Sequence, residues 1–195
     1  MINLTKGQGI NLVKKDGTLK HINVALGWDE VERKKGLLSI FSNDEDIDCD
    51  ASLACLSKKG KLLGTDYVVY YGHKDMAGVH HSGDDRVGGG NKDNETISIT
   101  FDKLPNNVER IPIFMNIYDA RDRHQNMTSL RNAYIRVYNA DTNEELCRYD
   151  LDKDLGPVEG FIAGELSKSE DGWNFTAVGE SIKNASRISE IINRW

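Results

Sequence analysis

Proline and cysteine are scarce, three of each in 195 residues, and neither a long apolar run nor a basic surplus is present. Cys49, Cys55 and Cys147 are odd in number and contain no C-x-x-C pair. That excludes a disulfide framework and a zinc knuckle, and it points to reduced thiols in a cytoplasm. No stretch approaches the ~20 consecutive apolar residues that cross a bilayer. The opening residues, MINLTKGQGI, lack the charged-then-apolar layout of a secretory leader, so a cytoplasmic location is expected. Lys plus Arg total 25 against 31 Asp plus Glu, a net charge of −6. This acidic balance argues against nucleic acid as a partner, because phosphate backbones select basic faces.

What is present suits one domain over residues 1–195. With 38% apolar residues, a chain of this length buries roughly 70% of its unfolded surface and needs no metal or disulfide merely to form a core. No linker, low-complexity tract or repeat divides it. Val68, Val69, Tyr70 and Tyr71 are β-branched or aromatic, and Ile97, Ile99 and Phe101 alternate with Ser98 and Thr100, which favours strands. Further strands are predicted over 9–15, 19–26, 46–56, 62–71, 111–118, 133–139, 146–149, 160–166 and 173–178, with turns at Asp16-Gly17, Gly60, 141–143 and Asp171-Gly172. Only the tail has a helical stripe, Ile182, Ala185, Ile188, Ile192 and Trp195 recurring at intervals of three and four. The fold class is therefore all-β: an antiparallel β-sandwich with long loops at one end, over 29–45 and 72–94, and a C-terminal helix.

The acidic residues are unevenly placed. Asp44, Glu45, Asp46, Asp48 and Asp50 lie together without a basic residue, and on a strand Asp46, Asp48 and Asp50 share one face. A second group, Asp84, Asp85, Asp93, Asn94 and Glu95, occupies a glycine-rich segment containing Gly88-Gly89-Gly90. If successive strands run antiparallel, Asp29, Asp46, Asp48, Asp84, Asp85, Asp93, Glu95 and Asp119 all reach the same end of the sandwich. Like charges so crowded call for a cation, and calcium takes six to eight hard oxygens in irregular geometry. Neither segment is an EF-hand. From Asp46 the sixth and twelfth positions are Ala51 and Ser57, and from Asp84 a ligand position is held by Arg86. His73, His80, His81 and His124 have no zinc-site spacing, and no G-x-S-x-G is present. A hydrogen bond that fixes a loop is the expected histidine role, and an enzyme is not expected.

Several signatures resemble the TerD family of bacterial tellurium-resistance and stress-response proteins. They are Leu4-Thr5-Lys6-Gly7, Leu26-Gly27-Trp28-Asp29, Asp46-Ile47-Asp48-Cys49-Asp50-Ala51-Ser52, His81-Ser82-Gly83-Asp84-Asp85, Asp93-Asn94-Glu95, Ile117-Tyr118-Asp119-Ala120, Arg131-Asn132-Ala133-Tyr134, Arg148-Tyr149-Asp150-Leu151, Gly164-Glu165-Leu166 and Trp173-Asn174-Phe175. They cover nearly the whole chain in order. The resemblance implies a β-sandwich binding two calcium ions. Its candidate metal ligands are Asp46, Asp48, Asp84, Asp85, Asp93, Asn94 and Glu95, followed by Asp29 and Asp50 and then Asp119. Departures from the family pattern fall at Gly88-Gly89-Gly90, where a carboxylate is lost, at Asn94 in place of Asp, at Asp85 in place of Asn, and at Cys49 in place of Leu.

The expected function is a non-enzymatic calcium-binding stress-response protein that presents an ion-ordered surface to protein partners, among them a membrane-associated stress complex. Alternatives are a calcium-dependent membrane- or carbohydrate-binding module and a metal-dependent hydrolase. Arg33, Lys34 and Lys35 ahead of Leu37, Leu38, Ile40 and Phe41 are read as cover for a sheet edge, with contact to an anionic membrane as the alternative.

Overall fold

In strands β1 (Ile2–Leu4), β2 (Gly9–Asn11), β3 (His21–Glu30), β4 (Cys49–Ala54), β5 (Val68–Val69), β6 (Asp75–Met76) and β7 (Val79–His81), the β-branched and aromatic runs of the first half pair up. The second half adds β8 (Glu95–Thr100), β9 (Arg110–Ile117), β10 (Leu130–Asn139), β11 (Glu145–Asp150), β12 (Gly160–Ser169) and β13 (Gly172–Ile182). Two short helices, α1 (Leu12–Lys15) and α2 (Ile188–Ile192), complete the elements. This computed structural model describes residues 1–15, 19–30, 47–83 and 93–195.

A seven-stranded sheet runs β1-β11-β10-β3-β8-β7-β6 and faces a six-stranded sheet β2-β13-β12-β9-β4-β5. Among the described pairs only β1 with β11 is parallel. Period-two alternation sets the inner faces. Glu95, Ile97 and Ile99 of β8 are buried while Thr96, Ser98 and Thr100 are half-buried. From β4 and β9, Cys49, Ala51, Leu53, Ile111, Ile113, Met115 and Ile117 enter the same core as Val24, Leu26 and Trp28 of β3. No described helix is long and apolar enough to cross a membrane.

Strand β4 departs from simple alternation, because all six of its residues are buried. Its second face packs in a separate cluster of Ala54, Leu56, Val68, Phe114, Ile162, Ile182, Ala185 and Ile191, with Ile188, Ile192 and Trp195 half-buried against it. The C-terminal segment thus covers the outside of the six-stranded sheet. The predicted C-terminal helix is present, but it spans only part of the apolar stripe. Ile182 still pairs with Gly160 in the β12–β13 ladder, Asn184 turns the chain at φ 54°, and helix forms only over Ile188–Ile192.

Three other expectations are corrected. The predicted strand over 9–15 gives way to helix after Asn11. Residues 62–71 form a strand only at Val68–Val69, because Gly64 sits at φ 145° and a 3-10 turn follows at Thr65–Tyr67. The connection 72–94 holds a hairpin instead of loop alone, β6 pairing with β7 around Gly78 at φ 79°, and β7 joining β8.

Gly27 shows how tightly the seven-stranded sheet is dressed. A Cβ there would lie within 2.5 Å of Tyr134 Cζ, and the same ring carries the Arg148 guanidinium 3.7 Å from its centroid. Gly27→Ala is expected to expel that ring and destabilise the protein by about 1–3 kcal/mol, read as a lower urea midpoint at unchanged slope.

Candidate metal centre

At one pole of the sandwich, β3 ends, β4 and β8 begin, and β10 begins opposite the end of β3, with Leu26 paired to Glu95, Cys49 to Ile117 and Leu130 to Glu30. The sheets are joined there by Glu95 and His81, both sealed from solvent. Ladder bonds of β5 reach only Leu53 and Ala54, so among the described residues no strand neighbours the outward side of Ala51. Glu95 Oε2 accepts from Ala51 N at 2.6 Å, and His81 Nε2 donates to Ala51 O at 2.9 Å. His81 Nδ1 accepts from Gly83 N at 3.0 Å, which fixes the tautomer with hydrogen on Nε2. Both ring nitrogens are engaged, so His81 is a loop-fixing group and not a general base. His80, its neighbour, faces outward and contacts Asp75 at 2.6 Å.

The predicted site residues fall into three groups. Asp46, Asp84 and Asp85 lie outside the described residues. Asp48, Asp50 and Glu95 surround the start of β4. Burial pushes the Cys49 thiol well up, and these three carboxylates push it further, in the order Asp50, Glu95, Asp48. The Tyr71 phenol is raised by burial and by Asp50 and Asp48. Tyr118 N donates to Asp48 O at 2.8 Å, tying the acidic segment to the end of β9.

The remaining predicted residues hold protein partners. Asp93 takes a two-pronged bond from Arg136, Nε at 2.8 Å and Nη2 at 2.6 Å, plus Tyr134 Oη at 2.9 Å. Asn94 Oδ1 accepts from Trp28 N at 2.7 Å, and Asp29 Oδ2 accepts from Asn132 Nδ2 at 2.7 Å. Asp119 meets Arg187 Nε at 3.2 Å. Among the described residues no group of three or more His, Cys, Asp or Glu is gathered closely enough to hold a metal ion.

Neutral oxygens stand where acids are too few. Asp50 is 2% exposed and opposite Asn116 in the β4–β9 register, with Ser52 two residues along on the same face. Asn116 is 1% exposed and Ser52 fully buried, and among the described residues neither Asn116 Oδ1 nor Ser52 Oγ has a hydrogen-bond partner. Sequence reasoning passed over both. The available signal was a lone amide inside the apolar strand Ile111-Pro112-Ile113-Phe114-Met115-Asn116-Ile117.

A groove of about 920 Å³ opens at the same pole beside Lys6, Trp28, Asp29, Arg148, Asp152 and Asp154. Its acids are engaged as structural acceptors. Asp152 takes Asn132 N and Ala133 N at 3.0 and 2.7 Å, and Asp154 takes Tyr149 Oη at 2.5 Å.

The TerD domain family model matches residues 1–195. Stress response protein SCP2 of Bacillus subtilis (strain 168) is 36% identical over 100% of this chain and 98% of its own length. Tellurium resistance protein TerD of Serratia marcescens is 33% identical over 92% of this chain and 90% of its own. Among solved structures, a homologue of telluride resistance protein (TerD) from Streptomyces coelicolor A3(2) superimposes with TM-score 0.65 at 18% identity, covering 85% of this chain and 92% of that one.

Two outcomes follow from this geometry. His81→Leu leaves Ala51 O and Gly83 N without their side-chain partner and is expected to cost about 2–4 kcal/mol in urea unfolding. Burial pushes the Cys55 and Cys147 thiols from 9.0 up to about 12. The folded chain keeps protons there that the unfolded chain releases above pH 9. Stability from this source is therefore complete below about pH 9 and lost as pH rises toward 12. Native protein at pH 8 is expected to leave all three buried thiols unreactive toward a disulfide reagent until urea is added.

Proposed function

The chain belongs to the TerD family, and from that premise we propose that it is a calcium-binding, non-enzymatic stress-response protein of the tellurium-resistance kind. It acts in the cytoplasm by presenting an ion-ordered surface to a protein partner, such as a member of a membrane-associated stress complex. The observation that carries this reading is Asp50, buried at the start of β4, with Asn116 Oδ1, unpartnered among the described residues, opposite it in the β4–β9 register.

The donor set fits the ion. It is all oxygen, it includes the buried Asn116 Oδ1 with no partner, and calcium accepts carboxylate, amide and hydroxyl oxygens in irregular arrangements. Asp48 and Asp50 would hold it, with Asp46, Asp84 and Asp85 the further carboxylates of a two-ion arrangement. Calcium supplies charge neutralisation there and no redox chemistry. Glu95, Asn94 and Asp93 hold the surrounding backbone and Arg136, so the loops meet the ion from a frame already built. A partner that prefers the ion-bound conformation is coupled to calcium by the same free energy in both directions.

Calorimetry with calcium, with magnesium and after EDTA tests the reading. Calcium at about 100 times its dissociation constant is expected to raise the melting temperature by roughly 5–10 °C. Asp48→Asn is expected to weaken binding by about tenfold or more. No heat and no melting shift at millimolar calcium would overturn the proposal.

A further inference from the structure

We propose that Asn116 is itself a cation ligand, its side-chain oxygen joining Asp50 on the outer face of the six-stranded sheet. This inference rests on the calcium reading above and adds a neutral oxygen from β9 beside Asp50 of β4.

The placement comes from strand geometry. Asp50 and Asn116 are register partners in the β4–β9 ladder, so their side chains rise on the same face, and Ser52 follows on that face two residues later. The same face carries Ala54, Leu56 and Phe114, the floor of the second apolar cluster, so water does not compensate these polar groups. Asn116 is 1% exposed, and among the described residues its Oδ1 has no hydrogen-bond donor and the hydroxyl of Ser52 has no partner. Leaving a buried acceptor unpaired is costly, and native structures seldom do so without a reason. An amide oxygen beside a buried carboxylate is a hard, neutral donor of the type that calcium takes alongside acids. It supplies coordination without adding to the repulsion among Asp48, Asp50 and Glu95.

The site is closed from above by the C-terminal segment. A Cβ on Gly160, which pairs with Asn116, would lie 2.6 Å from Ala185 Cβ and 3.7 Å from Asn116 Cβ. Three residues after Asn116, Asp119 N donates to Ser186 O at 3.2 Å, and Ser186 Oγ accepts from Arg121 N at 2.8 Å. An ion seated at Asn116 is thus fixed to the strand whose end the tail is bonded to.

A purely structural asparagine and a ligand respond oppositely to replacement. Asn116→Leu keeps the shape and removes the unpaired oxygen. In EDTA its melting temperature is expected to equal or exceed that of the wild type, whereas its calcium affinity falls about tenfold or more and the calcium-induced melting rise shrinks accordingly. Asn116→Asp places a second carboxylate opposite Asp50. It is expected to melt lower than wild type in EDTA and to show a larger calcium-induced rise. Wild-type binding together with unchanged affinity in Asn116→Leu overturns the assignment. Should that variant fail to fold, a calcium-induced rise in Asn116→Asp no larger than wild type overturns it instead. Absence of calcium binding by the wild type itself overturns the calcium reading, and this inference with it.

Discussion

The peptide group of Ala51 is where the two sheets are held to each other at the acidic pole. Its N–H and C=O point away from β9 into a gap that β5 is too short to fill, and side chains from the opposite sheet fill that gap. Glu95 accepts from the nitrogen and His81 donates to the oxygen. Because all these groups are dry, removing one leaves a buried backbone group unpaired, which costs more than a hydrogen bond normally contributes. The second nitrogen of His81 then anchors Gly83, the last described residue before the glycine-rich acidic segment. One clamp therefore sets the start of β4, the spacing of the sheets and the position of Gly83.

That clamp also decides which acids are structural. Glu95 points between the sheets, so its neighbours on β8 can be core isoleucines, and Asp50, one residue from Ala51, must face the other way. The outer face of a sandwich sheet is ordinarily wet. Here residues 182–195 cover it, and Arg121 pins that cover through Glu159 and Glu190 at 3.1 Å each. Such exposed ion pairs contribute little individually. The burial of Ile182, Ala185 and Ile191 stabilises the cover more, and it is what turns Asp50, Ser52 and Asn116 from surface groups into buried ones.

Much of this was legible in the residues. Alternation of Ile97, Ile99 and Phe101 and the run 133–139 mark strands, and following the antiparallel chain direction brings Asp29, Asp48, Asp93, Glu95 and Asp119 to one pole. What alternation could not show is long-range pairing. Nothing near Asp93 indicates that Arg136, 43 residues away, takes both its oxygens, or that Asn94 is bonded to the Trp28 backbone. The C-terminal helix is shorter than its stripe for a related reason. Its three-to-four spacing matches a helix, but apolar residues at a strand end, a turn and a short helix meet one surface with the same spacing.

The acidic excess thus divides by what already opposes each charge. Asp93 faces Arg136, Asp119 faces Arg187, Asp152 faces two backbone N–H groups, and Glu95 faces one more. Carboxylates of this kind organise backbone, and part of their lone-pair capacity is already taken by a donor. An ion at the pole would therefore find fewer carboxylates than the sequence count suggests and would need neutral oxygens to complete its shell. Calcium tolerates that mixture better than magnesium, whose shell is small, rigid and reluctant to lose water. Selectivity for the larger ion would then follow from the fold itself, because the covered outer face of the sheet supplies amide and hydroxyl oxygens beside the carboxylates.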